Sequence, residues 1–196
     1  MTDTTQIPDV VALYDRVSAA LQELVAGVRP EQWQASTPCT EWDVRALVNH
    51  VVGGTRYFVA NIRGTEQPDR SLDFLGDDAV AAFAAATGDL HDAFLEPGVL
   101  DGVFASPLGQ RPGRGLVQMR IVEHLVHGWD LGTATGQRLD VPAEVVEGVL
   151  AGLRQAVPGG ERPGGPFKDE QPAPPDAPPL DRLAAFLGRR LPTIGG

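Results

Sequence analysis

The stretch Arg120-Ile121-Val122-Glu123-His124-Leu125-Val126-His127-Gly128-Trp129-Asp130 decides how this chain is read. It forms the middle of a helix predicted over residues 116–135. Ile121, Val122, Leu125 and Trp129 fall on one face; Arg120, Glu123, His127 and Asp130 fall roughly opposite. Taken alone, the polar side reads as a solvated face. Leu116, Met119 and Leu131 border it, however, so apolar residues nearly encircle the helix, and such a helix tends to be buried. Buried charges need partners or a metal. Glu123 and His127 are four residues apart and stack on one face, where a carboxylate and an imidazole converge on one ion. Zinc accepts this pair, and a third ligand with an open fourth position is its catalytic arrangement. Of the histidines His50, His91, His124 and His127, the expected third ligand is His50. Asp130, three residues beyond His127, is placed to hold that imidazole. His124 is rotated by about 100° from Glu123 and is expected to pack rather than ligate, though His124 and His127 form a rival chelating pair. His91 is expected to be structural.

Working outward, the apolar spacing of Val10, Leu13, Tyr14, Val17, Leu21, Leu24 and Val28 predicts a helix over 8–28, with Pro8 in its first turn. Thr37-Pro38-Cys39-Thr40-Glu41-Trp42-Asp43 is a helix-start signal with Thr40 as N-cap, and the helix is expected over 41–62. His50 lies at the border of its apolar face, beside Ala46, Gly54 and Tyr57. Interior glycines cost about 1 kcal/mol each relative to alanine, so Gly53 and Gly54 need a reason: room for a ligand near His50, or close helix packing. Residues 64–75 read as a loop. A third helix, capped by Asp77 or Asp78, is expected to reach residue 95, where Pro97-Gly98 ends it. Residues 98–115 read as a short extended crossover. Asp140-Val141-Pro142 starts a fifth helix, with Pro142 in its first turn. Residues 158–179 are dominated by Pro and Gly and predict a surface strap. A tail helix follows over 180–190, docked by Leu183, Phe186 and Leu187. The fold class is therefore all-α.

At 196 residues the chain reads as a single domain spanning 1–196. A net charge of −10 argues against nucleic acid and anionic membranes as partners, because both need a basic footprint. No signal peptide and no long apolar run are read in the chain. The single cysteine, Cys39, rules out an internal disulfide and a thiolate zinc cluster. A cytoplasmic protein is expected. Cys39 stands at the predicted helix start, where a thiol pKa can be depressed; a small buried hydrophobe is the plainer role. Arg45 and Arg56 are expected to be solvated.

Residues 37–50, from Thr37-Pro38-Cys39 through Trp42, Val44 and Leu47 to His50, resemble the opening motif of the mycothiol-dependent maleylpyruvate isomerase N-terminal domain family. Glu123-x-x-x-His127-Gly128-Trp129-Asp130-Leu131 resembles that family's second metal motif. The tail, with Pro178-Pro179-Leu180-Asp181-Arg182-Leu183 and Phe186-Leu187-Gly188-Arg189, is similar to a single-domain metal-binding subgroup. The resemblance implies a DinB-like four-helix bundle with an additional helix, a Pro/Gly-rich strap and a short tail helix. It implies His50, Glu123 and His127 as metal ligands, a homodimer, and a low-molecular-weight thiol such as mycothiol as cofactor. The isomerase carries a further C-terminal domain where this chain has the strap and tail helix. The implied chemistry is therefore the superfamily's general one, a divalent metal that binds and activates a small thiol.

Two functions follow as expectations. The first is a metal-dependent thiol transferase or isomerase-like enzyme acting on a small electrophile held beside Gly54 and Tyr57. Arg120 would then orient an anionic group, or else be an ordinary surface charge. The second is a non-catalytic metal-binding or ligand-sensing protein. Zinc is the first expectation; nickel or manganese suit the same ligands.

Overall fold

The computed structural model describes residues 9–157 and 167–192, and it is all-α apart from one short hairpin. In order come α1 (Asp9–Ala26), a 3-10 turn (Pro30–Gln32), α2 (Val44–Arg63), α3 (Ala79–Leu95), β1 (Val103–Phe104), β2 (Arg111–Pro112), α4 (Gly113–Thr135), α5 (Ala143–Ala156) and α6 (Pro179–Phe186). Among the described residues no helix is long and apolar enough to cross a membrane. The chain falls into two compact units: α1 with Val48–His124, and Gly27–Leu47 with the residues from Leu125 on.

The first unit gathers the helices of the bundle: α1, the body of α2, α3, and α4 as far as His124. Its interior is built from Tyr14, Val17, Leu21, Val51, Phe58, Phe83, Leu90, Phe94, Leu116 and Ile121, all buried. Each large side chain removed from water contributes about 1.5–3 kcal/mol, so the stripes that predicted the helices also dictate their packing. Tyr14 and Phe94 meet edge to face at 5.5 Å, a favoured arrangement of aromatic rings. Asp78 caps α3 by accepting the Ala81 N–H at 2.9 Å. The segment expected as a crossover is instead an antiparallel hairpin pairing Val103 with Pro112 and Phe104 with Arg111.

The second unit packs Leu125, Val126, Trp129, Leu131, Val146, Leu150, Leu183 and Phe186. Several boundaries differ from the sequence reading; α1 ends at Ala26 rather than 28 and α4 begins at Gly113 rather than 116, and three more have a local cause. Helix α2 begins at Val44, not residue 41, because the preceding loop supplies its N-terminal partners. The Val44 and Arg45 N–H groups donate to Ala35 and Trp33 carbonyls at 3.0 and 2.9 Å, and Asp43 accepts the Ala46 N–H at 2.8 Å. Asp43, not Thr40, thus holds the start. In α5, Pro142 is the N-cap rather than a first-turn residue. Helix α6 ends at Phe186 rather than 190, since Gly188 turns into the left-handed region at φ +89. Residues 167–178 of the expected strap carry no helix or strand. Residues 158–166, and Pro8 of the first predicted helix, lie outside the described residues.

Candidate metal centre

Between Arg120 and Gly132, α4 is buried at every residue except the half-exposed Glu123. The encircling apolar residues decide the matter over the polar face: this helix is internal, and its charges must be paired. Each of them is.

His50, from the middle of α2, places Nε2 3.0 Å from Glu123 Oε1. The other carboxylate oxygen, Oε2, accepts from Arg120 Nη1. Arg120 is fully buried and is the largest such side chain among the described residues. The alternative of an ordinary surface charge is therefore excluded. The α2 partners Val51, Thr55 and Phe58, too distant in sequence to foresee, meet it in the interior. Its Nη2 donates to Thr55 Oγ1 at 2.9 Å and to the Val51 carbonyl at 3.3 Å, and meets His124 Nε2 at 3.0 Å. Arginine only donates, so His124 accepts at Nε2 and carries its hydrogen on Nδ1, 3.0 Å from Ser18 Oγ. His124 is wholly buried, between the rings of Tyr14 at 5.5 Å and Phe83 at 5.9 Å. Burial pushes the Tyr14 hydroxyl pKa up, against the opposing charge of Arg120.

A turn beyond Glu123 on the same helix, His127 Nδ1 lies 3.1 Å from Asp130 Oδ2. Asp130 is completely buried. Burial by itself would raise its carboxyl pKa, but hydrogen bonds from His127 and Arg189 outweigh that and hold it below the ordinary range. The ionised carboxylate accepts, so His127 donates from Nδ1. Trp42 flanks the imidazole, ring centroids 5.9 Å apart.

The ligating atoms of His50, Glu123 and His127 lie within 4.8 Å of one another. In tetrahedral coordination at 2.0–2.2 Å, ligand atoms are spaced by about 3.4 Å, so small side-chain rotations would bring the three onto one ion. The donor set suits a divalent cation, and each α4 candidate is held by a neighbour: Glu123 by Arg120, His127 by Asp130.

Gly54 lies beneath this arrangement. A Cβ there would sit 3.1 Å from Arg120 Nη1 and 3.8 Å from Glu123 Oε1. Gly53 faces the Phe74 ring, which a Cβ would approach to 2.6 Å. Gly53 thus serves close packing, and Gly54 leaves room for Arg120 and Glu123. Tyr57 is half-buried and edge-on to Phe58 at 5.9 Å. A cavity of about 450 Å³ is lined by α5, residues 170–175 and Arg182 and includes none of the predicted site residues. His91 pairs with Asp15 at 2.9 Å. Arg45 and Arg56 are exposed, with the Arg56 guanidinium 5.5 Å from the centre of the Phe74 ring. Cys39 is not at a helix start, since α2 begins later, and burial pushes its thiol pKa up rather than down.

Sequence reasoning missed two roles: Arg120 as the buried hub, and Arg189 as the partner of Asp130 at 2.8 Å. The Gly188-Arg189 pair carried the one available signal, a glycine stop followed by a cation.

A family model described as mycothiol maleylpyruvate isomerase N-terminal domain matches residues 14–132. Two Mycobacterium tuberculosis proteins, of strains CDC 1551 and H37Rv, each named an uncharacterized protein, are 39% identical over 188 residues. Those matches cover 93% of this chain and 99% of each relative. Among solved structures, the crystal structure of the mycothiol-dependent maleylpyruvate isomerase aligns with a TM-score of 0.58 and 17% identity. It covers 75% of this chain and 70% of that one. A histidine-to-alanine mutant of that isomerase aligns with a TM-score of 0.59 and 15% identity over the same shares. At such identity the likeness is one of fold. The span 14–132 contains His50, Glu123, His127 and Asp130 but not α5, α6 or Arg189.

Proposed function

The chain belongs to the mycothiol maleylpyruvate isomerase N-terminal domain family, and from that membership and its His/Glu cluster we propose a divalent-metal-binding protein acting as a metal-dependent thiol transferase or isomerase-like enzyme on a small electrophile. The observation that carries this reading is the convergence of His50, Glu123 and His127 donor atoms within 4.8 Å. His50, Glu123 and His127 would hold a divalent cation, zinc first among candidates, which would supply Lewis acidity to lower the pKa of a small thiol such as mycothiol and favour its thiolate.

The chain's own groups prepare that step. Arg120 occupies Glu123 Oε2 and leaves Oε1 as the ligating oxygen. Its positive charge offsets the carboxylate, so the loaded site would stay cationic and attract an anionic sulfur. Asp130 holds Nδ1 of His127 and presents Nε2 for ligation. Arg120, being fully buried, orients the ligand rather than the substrate.

The test is metal analysis of the purified protein, then thermal shift and turnover with mycothiol, bacillithiol or glutathione and a panel of electrophiles. Stoichiometric metal with metal-dependent stabilisation by a thiol is the expected result. Protein that carries metal but ignores every thiol would leave a non-catalytic metal-binding protein; protein that binds no metal would sink both readings.

A further inference from the structure

Helix α6 ends in a geometry that aims one side chain. The Gly188 N–H donates to the Ala185 carbonyl at 3.0 Å and the Arg189 N–H to the Ala184 carbonyl at 2.9 Å. These are the paired bonds of a Schellman cap, with glycine in the left-handed position. Glycine is required twice over. Its φ is +89, and a Cβ would lie 2.6 Å from Lys168 Cβ and 2.8 Å from the Lys168 carbonyl oxygen. The helix itself is anchored by buried Leu183, Phe186 and Leu187 and by Trp129 Nε1 donating to Asp181 Oδ1 at 2.7 Å. Arg189 therefore leaves the cap from a fixed position.

From there it grips Asp130 at two points, Nε on Oδ1 at 2.8 Å and Nη2 on Oδ2 at 2.8 Å. Oδ2 is also the oxygen 3.1 Å from His127 Nδ1. Asp130 sits on α4 with no solvent exposure. A carboxylate joined to its helix by one flexible torsion pair would turn about that axis; the two-point grip fixes its plane, as bidentate guanidinium pairing does.

We propose that Arg189 is a positioning residue for His127: acting through Asp130, it fixes the imidazole as the Nδ1–H tautomer and so makes the docked C-terminal segment part of the ligand's support. The effect on metal affinity rests on the proposed function; the tautomer does not.

The experiment uses the full chain, uniformly ¹⁵N-labelled, with side-chain imidazole correlation spectra of wild type, Arg189→Gln and Arg189→Lys. Arg182→Gln is the control, because Arg182 ties α6 to Glu147 and has no contact with Asp130. Wild type and control should show His127 protonated at Nδ1. Arg189→Gln should show a mixture of the two tautomers. Arg189→Lys, which keeps the charge without the two-point grip, should fall between them. Zinc affinity, read by competition with a chromophoric chelator, should weaken about 10–100-fold in Arg189→Gln, the usual effect of removing a ligand's support, and stay close to wild type in the control. A folded Arg189→Gln with the wild-type imidazole pattern overturns the inference. If Arg189→Gln does not fold, an unaltered pattern in Arg189→Lys does the same. If wild type binds no zinc, the proposed function falls while the tautomer comparison still decides this point.

Discussion

Replacing Arg120 by methionine tests whether the buried guanidinium is the hub described above. The substitution removes its bonds to Glu123, Thr55, Val51 and His124. Their costs differ. Thr55 keeps its bond to the Val51 carbonyl at 2.8 Å, so neither group is orphaned. Glu123 is 20% exposed at its side chain, so water can replace the guanidinium, and that ion pair is worth about 1 kcal/mol or less, as at a surface. His124 Nε2 cannot turn to water, since the residue has no exposure; losing a buried hydrogen bond of this kind costs about 1–3 kcal/mol. Against these stands a relief: Arg120 Nε is buried without a hydrogen-bond partner among the described residues, and methionine abolishes that donor and the guanidinium's desolvation. Methionine also fills the space beside the Phe58 ring, now 5.3 Å from the guanidinium carbon. The balance is a net loss of about 1–2 kcal/mol, below the ~3–5 kcal/mol usual when one half of a buried pair is removed. For a chain of this size that lowers Tm by about 2–8 °C, measured by thermal or urea unfolding followed by circular dichroism. A double-mutant cycle with His124→Phe should show coupling of about 1 kcal/mol or more. An unchanged Tm, or a cycle with no coupling, would refute the assignment of Arg120 and His124 to one network.

Gly54→Ala sets about 1 kcal/mol of gained helix propensity against an added Cβ 3.1 Å from an arginine held on several sides. Overpacking costs about 1–3 kcal/mol, so Tm should fall; a rise would mean that Arg120 yields freely. Asp130→Asn should cost about 3–5 kcal/mol by leaving Arg189 without its counter-charge. Because the Asp130 carboxyl is held below its ordinary range, its contribution is full above about pH 4, the unfolded value, and is lost as pH falls through the lower folded value. The gap between wild type and this variant, followed by urea unfolding at stepped pH, should therefore narrow below about pH 4 and stay constant above it. His50→Ala and His127→Ala should each abolish most zinc binding in a chelator competition, whereas His124→Ala should lower Tm yet leave most of the affinity; loss of zinc binding in His124→Ala alone would reassign the ligands.

Much of the fold was legible because each helix carries its own apolar period and punctuation. Asp78 ahead of α3 and Pro97-Gly98 behind it are local signals, and they were read correctly. The start of α2 was not, because its first N–H groups are satisfied by the Trp33 and Ala35 carbonyls and by Asp43 rather than by Thr40. The end of α6 was misplaced by reading apolar residues ahead of Gly188, whose φ stops the helix. At the candidate site, Glu123 and His127 are legible because one turn of helix sets their spacing, and Asp130 because it follows by three residues. The buried hydrogen bonds of Arg120 were not legible because its partners Val51 and Thr55 lie 69 and 65 residues away, on another helix. Arg189 was illegible because only the folded cap of α6 brings it to a carboxylate 59 residues upstream.

The hydrogen bond between Ser18 and His124 joins residues 106 apart, and the one between His50 and Glu123 joins residues 73 apart. Helical turns form from neighbours in under a microsecond, but these bonds wait for long loops to close, at an entropic cost that grows with the logarithm of loop length. Their geometry is met only once the helices that carry these groups have packed, so the polar interior is expected to complete after helix formation. An interaction absent from the folding barrier acts mainly on the escape rate from the native state. Formed after that barrier, the buried chain from Ser18 through His124 and Arg120 to Glu123 would act as a brake on unfolding, bearing on how long the folded protein lasts more than on how fast it is made.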